Sequence, residues 1–191
     1  MNIDQVKINS DLGEGTGIEK DIMPYLTSCS IACGGHTGDK STMKNTILIA
    51  KKHGVKVGAH PSYPDPENFG RKKLDIELDK LKNTLKTQIL AVKTIIERLG
   101  GKLHHVKPHG ALYNEIAKDE EKARLVVDVV KEIDEQLIHF VPPNSVVEAI
   151  AKTKLNTWKE GFADRNYEAD FSLISRSKNK AVLHEKEAVF Q

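Results

Sequence analysis

The chain has 191 residues, of which 39% are hydrophobic and 29% charged, and 29 basic and 27 acidic side chains leave a net charge of +2. This length can bury a substantial core, so residues 1–191 are predicted to form a single domain. The basic residues do not cluster with aromatics, which excludes a nucleic-acid surface, and no apolar run reaches the roughly 20 residues needed to span a membrane. With two cysteines and no amino-terminal signal sequence, a cytoplasmic protein with reduced thiols is expected.

Short apolar runs alternate with amphipathic stretches along the chain, which is the pattern of parallel β/α units. Strands are predicted, in chain order, over residues 6–10, 29–33, 55–59, 104–107, 137–141, 159–163 and 181–183. Helices are predicted over residues 18–25, 40–53, 75–99, 120–133 and 145–152. A complete eightfold barrel typically needs about 250 residues, so these elements predict a seven-stranded or incomplete (β/α) barrel.

Polar side chains follow four of the predicted strands, where glycine or proline interrupts each one. The carboxyl ends of parallel strands meet at one edge of a sheet or barrel, which is where such folds place their sites. We therefore expect these side chains to share one site. They are Asp11 and Glu14 after the first strand, His36 and Asp39 after the second, His60 at the end of the third, and Lys107 and His109 at the end of the fourth.

The residues after the first three strands offer metal or acid–base chemistry. Asp11 or Glu14 can bind Mg²⁺ or serve as a general base, although a tight turn with solvated acids would have the same sequence. His36 lies among glycines before a helix, where backbone amides can bind phosphate or carboxylate. An ordinary histidine in a loop is the alternative. Asp11, His36 and His60 together could form a metal site, and His60 also fits an ordinary packed residue.

Lys107 and His109 are the more specific pair. A lysine in a buried strand has to find an anion or lose its proton, because burying an unpaired charge is costly. Lys107 therefore fits a role in neutralising phosphate, with an ion pair to Asp11 that only orders the core as the alternative. His109 can transfer protons near neutral pH.

A loop rich in proline, glycine and aspartate spans residues 61–73, and long loops in compact domains are usually lids or binding loops. Arg71 on this loop can hold a carboxylate or phosphate through two hydrogen bonds, or it can be a solvated charge. Asp164 and Arg165 end the predicted sixth strand as a further charged pair, with a surface ion pair as the alternative.

These segments together resemble the LamB/YcsF family, and they run in the family's order along nearly the whole chain. The matching segments are NSDLGEG (residues 9–15), IACG (31–34) with His36, GD (38–39), GAHPSYPD (58–65), FGR (69–71), HVKPHGALYN (105–114) and FADR (162–165). The family usually has Phe-His-Ala where this chain has Gly35-His36-Thr37, and Asn where it has Ser30. Both departures keep His36.

The resemblance implies a seven-stranded (β/α) barrel of the glycoside hydrolase/deacetylase type. Family members run on past residue 191 to a His-Gly-Asp motif, so the barrel is expected to be incomplete at its carboxyl terminus. The resemblance also implies the A subunit of an ATP-dependent 5-oxoprolinase, which opens the cyclic amide 5-oxo-L-proline to L-glutamate with partner subunits B and C. The implied cofactors are ATP as co-substrate and Mg²⁺ or another divalent metal.

Residue roles are carried over on the matching motifs. The expected catalytic residues are Asp11, His36, His60, Lys107 and His109. The expected residues for binding 5-oxoproline or ATP are Glu14, Asp39, Arg71, Asn114, Asp164 and Arg165.

Two other functions stay open at this point. A metal-dependent hydrolase resembling carbohydrate deacetylases would use Asp11, His36 and His60 as ligands, and a non-catalytic subunit would bind substrate without turnover. A barrel that lacks its last β/α unit leaves an open strand edge, so we expect the chain to form a homo-oligomer or to bind a partner across that edge.

Overall fold

A computed structural model describes residues 6–176 and 178–183 of the chain. Six strands in these residues form one sheet in which the strand order is the chain order, and every neighbouring pair is parallel. The strands are β1 (Asn9–Leu12), β2 (Ser28–Ala32), β3 (Lys56–His60), β4 (His105–Val106), β5 (Ile138–Val141) and β6 (Asn156–Lys159). All six carboxyl ends therefore lie at the same edge of the sheet.

Helices fill the connections, as parallel neighbours require. They are α1 (Glu19–Ile22), followed by a 3₁₀ turn (Met23–Tyr25), then α2 (Lys40–Lys52), α3 (Leu78–Arg98), α4 (Gly110–Ile116), α5 (Glu120–Ile133) and α6 (Val146–Ala151). Among the residues that the structure describes, no helix is both long and apolar enough to cross a membrane.

The sheet curls so that its first strand approaches the later ones. Asn9 on β1 places its side-chain nitrogen 3.4 Å from Nε2 of His105 on β4. Just before β1, the Lys7 ammonium lies 3.9 Å from the centre of the Trp158 ring on β6. The side chains of alternate residues on the strands therefore fill a common interior, as in a barrel.

The core between sheet and helices follows from helical periodicity. Apolar side chains of α3 recur every three or four residues and are buried, namely Leu81, Leu85, Ile89, Val92 and Ile96. Each such side chain contributes about 1.5–3 kcal/mol when it leaves water. This packing holds the helical layer against the sheet and so fixes the strand ends that carry the polar residues.

The structure differs from the sequence prediction in three elements. Residues 181–183, predicted as a seventh strand, lie outside the sheet, and Val182 instead forms an isolated antiparallel bridge with Arg165. The sixth strand is β6 at Asn156–Lys159 rather than at residues 159–163, because Thr157 and Trp158 pair with β5. Helix α4 was not predicted, since proline, histidine and glycine precede it, yet Leu112 and Ile116 anchor it in the core.

Candidate functional site

The carboxyl ends of the strands bring the predicted polar residues together. Asp11 lies on β1, His60 ends β3, and the remaining members lie on the loops that follow the strands. The group consists of Asp11, Glu14, His36, His60, Lys107 and His109, with Glu160 as an additional member. The residues expected to share one site after the first four strands do come together at this edge, except Asp39, which caps α2 instead.

Lys107 is buried between two carboxylates. Its ammonium lies 3.1 Å from Oδ1 of Asp11 and 3.0 Å from Oε2 of Glu160, and the residue is only 4% exposed. Burial by itself lowers the pKa of Lys107, but Asp11 and Glu160 outweigh it and raise the pKa above its usual value. The Lys107–Asp11 ion pair considered as the alternative from the sequence is thus present, and Glu160 extends it to a triad.

Asp11 links this triad to the histidines. Its Oδ2 lies 3.3 Å from Nε2 of His60, while Oδ1 faces Lys107. Burial raises the pKa of Asp11, but His60 and Lys107 outweigh burial and hold the pKa well below its usual range. Asp11 is therefore a carboxylate at any pH near neutrality.

The second group consists of three histidines around the Glu14 carboxylate. Oε1 of Glu14 lies 3.0 Å from Nε2 of His36, 3.9 Å from Nε2 of His60 and 3.7 Å from Nδ1 of His109. Nδ1 of His109 and Nε2 of His60 are 2.9 Å apart. These four donor atoms all lie within 4.8 Å of one another, so among the described residues they form a group that could hold a metal ion.

This set differs from the predicted metal ligands. His36 and His60 belong to both, but Glu14 and His109 occupy the places beside them, while Asp11 is engaged by Lys107. The sequence prediction named Asp11 rather than Glu14 and left out His109, because the choice among neighbouring side chains depends on how each loop turns, and metal binding itself stays a prediction.

In each histidine of the cluster, the ring nitrogen that faces away from Glu14 also has a polar partner. Nδ1 of His60 lies 2.7 Å from the Lys107 carbonyl oxygen, and Nε2 of His109 lies 2.9 Å from the Phe69 carbonyl oxygen. Nδ1 of His36 lies 3.0 Å from the Ser62 hydroxyl. Burial lowers the pKa of both His36 and His109, so neutral imidazoles are favoured there.

Two glycines allow the loop 61–73 to close over this cluster. Gly70 has a φ of +62°, and a Cβ on it would lie 3.0 Å from Cβ of His36. Gly110, at a φ of +59°, faces the Gly70 carbonyl, which would lie 2.5 Å from an added Cβ. Only residues without side chains permit this approach, so the glycines set how tightly the loop covers the histidines.

Two predicted binding residues are exposed, and one of them, Arg71, lies beside the cluster. Arg71 is exposed, with its guanidinium carbon 4.8 Å from the centre of the Phe69 ring, and that ring packs edge-on against His36. Asn114 is exposed on α4. Both remain predictions for contacts with a substrate.

The other three predicted binding residues have structural positions of their own. Asp39 is the exposed N-cap of α2 and accepts hydrogen bonds from the backbone amides of Ser41 and Thr42. Arg165 is buried and donates to the carbonyl oxygens of Ala181 and Ile174. Asp164 is exposed, and its carbonyl oxygen accepts a hydrogen bond from the amide of Leu183. Arg165 is therefore not the surface ion pair that was the alternative from the sequence.

Glu160 is the site residue that the sequence reading missed. It directly follows β6, and the Tyr113 hydroxyl lies beside it, where burial and the Glu160 charge raise the pKa of Tyr113. Neither Oε1 of Glu160 nor the Tyr113 oxygen makes a hydrogen bond within the described residues. The signal was the run Thr157-Trp158 before Glu160 and Gly161, which marks a strand that ends four residues earlier than predicted.

The chain is similar to known proteins over nearly its whole length. The model of the LamB/YcsF family matches residues 6–191. The chain is 41% identical to the 5-oxoprolinase A subunit of Pyrococcus furiosus and 42% identical to that of Pyrococcus abyssi, in each case over 97% of this chain and 75% of the relative. The lactam utilization protein from Thermus thermophilus has the same fold, with a TM-score of 0.90 and 35% identity over 96% of this chain and 76% of that one.

Proposed function

Since the chain belongs to the LamB/YcsF family, we propose that it is the A subunit of a 5-oxoprolinase, which opens 5-oxo-L-proline to L-glutamate with hydrolysis of ATP. The observation that carries the proposal is the similarity over nearly the whole chain to relatives named as the A subunit of 5-oxoprolinase. The cluster of buried charges at the carboxyl ends of the strands supports it, because hydrolysis of an amide needs groups that move protons and stabilise charge.

The carbonyl carbon of the lactam is a poor electrophile, which the proposed reaction has to activate. An amide carbonyl resists attack by water, and transfer of the γ-phosphoryl group of ATP to the lactam oxygen releases ADP and activates the ring carbon. Water adds to that carbon, the carbon–nitrogen bond breaks, and the nitrogen takes a proton. A second water releases phosphate, which leaves glutamate as the product.

The triad of Asp11, Lys107 and Glu160 is the proposed proton-transfer centre. Asp11 is a weak base because its pKa is so low, and both ring nitrogens of His109 already face polar partners. Glu160 has one oxygen on Lys107 and the other without a hydrogen bond within the described residues, so it can accept a proton from water. We therefore assign general-base chemistry to Glu160, and to Lys107 the role of orienting both carboxylates.

The proposed complex includes further subunits. Because the relatives are named as one lettered subunit of an enzyme, their name implies partners, which we take to be subunits B and C. ATP with Mg²⁺ would bind within that assembly. Arg71 and Asn114 are exposed side chains that we expect to contact 5-oxoproline or a nucleotide phosphate.

The test is the release of ADP that depends on 5-oxoproline, measured for the chain mixed with subunits B and C. Glu160→Gln keeps the shape of the side chain but cannot accept a proton, so turnover should fall by about 10²- to 10⁴-fold. Lys159→Met is the matched control, because this neighbouring side chain is 58% exposed and pairs only with Glu148 among the described residues.

The outcomes separate the parts of the proposal. Full turnover by folded Glu160→Gln would reject the role of Glu160 and leave the function standing. A folded, assembled complex that releases no ADP with 5-oxoproline would reject the function. Hydrolysis of an acetylated sugar by the chain alone, without ATP, would instead support the deacetylase-like alternative.

A further inference from the structure

The donor atoms around Glu14 have the spacing of a tetrahedral metal shell. Zinc binds imidazole nitrogen and carboxylate oxygen at about 2.0–2.2 Å, and the edge of a tetrahedron is about 1.6 times that, or roughly 3.3 Å. Four of the six edges are 3.0, 3.9 and 3.7 Å from Oε1 of Glu14 to His36, His60 and His109, and 2.9 Å between His60 and His109, and all four atoms lie within 4.8 Å of one another. These four edges scatter around the required value, and the stacked rings of His36 and His109, with centres 3.7 Å apart, have to turn for both to face one ion.

Hydrogen bonds on the outer side of the cluster fix which nitrogen of each ring carries its proton. Carbonyl oxygens only accept, so His60 Nδ1 must donate to Lys107 and His109 Nε2 must donate to Phe69. In neutral imidazoles this leaves His60 Nε2 and His109 Nδ1 as lone pairs. These are the two atoms that face each other at 2.9 Å.

His36 can reach the same state through a hydroxyl. The Ser62 hydroxyl lies 2.9 Å from the Tyr63 carbonyl oxygen and 3.0 Å from Nδ1 of His36, so it can donate to Tyr63 while it accepts the Nδ1 proton of His36. Nε2 of His36 lies 3.0 Å from Oε1 of Glu14, and Nε2 of His60 lies 3.3 Å from Oδ2 of Asp11. Three ring nitrogens thus lie against carboxylate oxygens that only accept, so either protons on the rings or one metal cation has to lie between them.

We propose that Glu14, His36, His60 and His109 bind one divalent transition-metal ion, with Zn²⁺ as the best fit. Three imidazoles and one carboxylate in tetrahedral spacing suit Zn²⁺, whereas Mg²⁺ prefers six oxygen ligands. The outer hydrogen bonds complete the arrangement, since metal-bound histidines almost always donate their other ring proton to a carbonyl, a carboxylate or water.

The proposed ion has a structural consequence. Its ligands follow β1, β2, β3 and β4 in turn, so one ion would tie four consecutive β/α units together at their carboxyl ends. Four protein ligands fill a tetrahedral shell, which is the closed type of site that contributes to folding. The inference goes beyond the proposed function, because an ion in this role holds the strand ends whatever reaction the neighbouring triad performs.

The experiment uses the full chain alone and reads metal content. The protein is purified without chelator, its metals are counted by mass spectrometry, and stripped protein is titrated with ZnCl₂ while heat and melting temperature are followed. We expect one Zn²⁺ per chain and a melting temperature that rises by several degrees on binding. Substitution by Co²⁺ should give the visible absorption of a tetrahedral site.

Glu14→Gln and His109→Gln are the diagnostic variants. Each removes one ligand, so affinity should fall by more than the roughly 10- to 100-fold typical of losing an outer-shell partner. The matched controls are Glu19→Gln and His53→Gln, because Glu19 and His53 are a partly exposed acid and an exposed histidine outside the cluster. Circular dichroism confirms that each variant is folded.

Two results would overturn the proposal. One is stripped protein that binds neither Zn²⁺ nor Co²⁺ at one per chain, which would mean that protons on the rings take the place of the ion. The other is stoichiometric metal that folded Glu14→Gln and His109→Gln bind as tightly as the unmodified chain. Both results are measured independently of the ADP-release assay, so failure of the metal site and failure of the proposed function are distinguishable.

Discussion

Buried histidines occupy two different settings in this fold. At the carboxyl ends of the strands, His36, His60 and His109 each have polar partners on both ring nitrogens, and their inner nitrogens converge on one carboxylate. Elsewhere in the fold, His105 and His139 are also buried, but within the described residues neither forms an ion pair with a carboxylate. In the first setting the ring nitrogens lie around one carboxylate, whereas in the second setting the rings are only packed in the interior.

His105 and His139 are packed in two ways. His105 points into the barrel, where its ring stacks on Phe140 with centres 4.3 Å apart and Nε2 lies 3.1 Å from the Ser30 hydroxyl. His139, on β5, makes no hydrogen bond with either nitrogen within the described residues. Burial alone lowers the pKa of His139 to about 4. The comparison shows that burial does not mark a functional histidine, whereas convergence on a charged partner does.

The largest effect is expected from breaking the buried triad at the carboxyl end. Lys107→Met leaves Asp11 and Glu160 facing each other without a cation, and removing one partner of a buried ion pair typically costs about 3–5 kcal/mol. Urea unfolding should show this loss in the free energy of unfolding. Adding Asp11→Asn and Glu160→Gln to Lys107→Met should recover part of it, because no unpaired charge is left.

Lys159→Met is the control for that measurement, since an exposed ion pair contributes less than about 1 kcal/mol. A loss below about 1 kcal/mol in Lys107→Met as well would mean that water reaches the triad, and the contrast between buried and exposed charges would disappear.

The second prediction concerns the histidine without partners. In the unfolded chain His139 protonates below its ordinary pKa of 6.5, but in the fold it stays neutral down to about pH 4. The unfolded state therefore binds more protons in this window, and stability falls as pH drops from about 6.5 to 4, by about 3 kcal/mol for this group. His139→Met should remove that part of the acid sensitivity.

The measurement is the free energy of unfolding of His139→Met and of the unmodified chain, from urea titrations between pH 7.5 and pH 4. His53→Met is the matched control, because His53 is exposed and should leave the pH profile unchanged. Parallel profiles for His139→Met and the unmodified chain would show that the His139 ring has access to water.

The smallest effect is expected from the barrel interior. Gly58 lies opposite His105 on the neighbouring strand, and a Cβ at Gly58 would lie 2.3 Å from that ring. Gly58→Ala should therefore destabilise by about 1–3 kcal/mol, as overpacking usually does. Thermal unfolding measures it, with Gly161→Ala as control, since the nearest atom there is a Tyr167 oxygen at 3.7 Å.

Combining Gly58→Ala with His105→Ala removes the ring that the new methyl group meets. The two changes should then couple, with a combined loss smaller than the sum of the single losses. Strict additivity would mean that the His105 ring moves aside freely, and that the interior is less tightly packed than the cluster above it.

Much of the site could be predicted from the sequence because its residues follow short apolar strands directly. The strand ends carrying Asp11, His60 and Lys107 were placed within a few residues, and parallel pairing then brings them to one edge. Helix α5 was predicted with its observed bounds, since its apolar residues repeat with a clear helical period.

The rest depends on contacts between distant parts of the chain. Glu160 was missed because the end of β6 was predicted four residues too late, since aromatic Phe162 and the small Ala163 resemble strand residues. Arg165 was predicted to bind a ligand or to form a surface ion pair. It donates hydrogen bonds to the carbonyl oxygens of Ala181 and Ile174, which no local sequence pattern reveals. The choice of Glu14 over Asp11 in the histidine cluster likewise follows from loop geometry.

The order of strands in the sheet has a consequence for how the molecule is made. Because the sheet order equals the chain order, each new strand leaving the ribosome finds its neighbour already in place. All four members of the histidine cluster emerge before β5 is synthesised, whereas Glu160 comes at the end of β6. A nascent chain thus presents all four proposed metal ligands before β6, which is followed by the proposed general base Glu160, is synthesised.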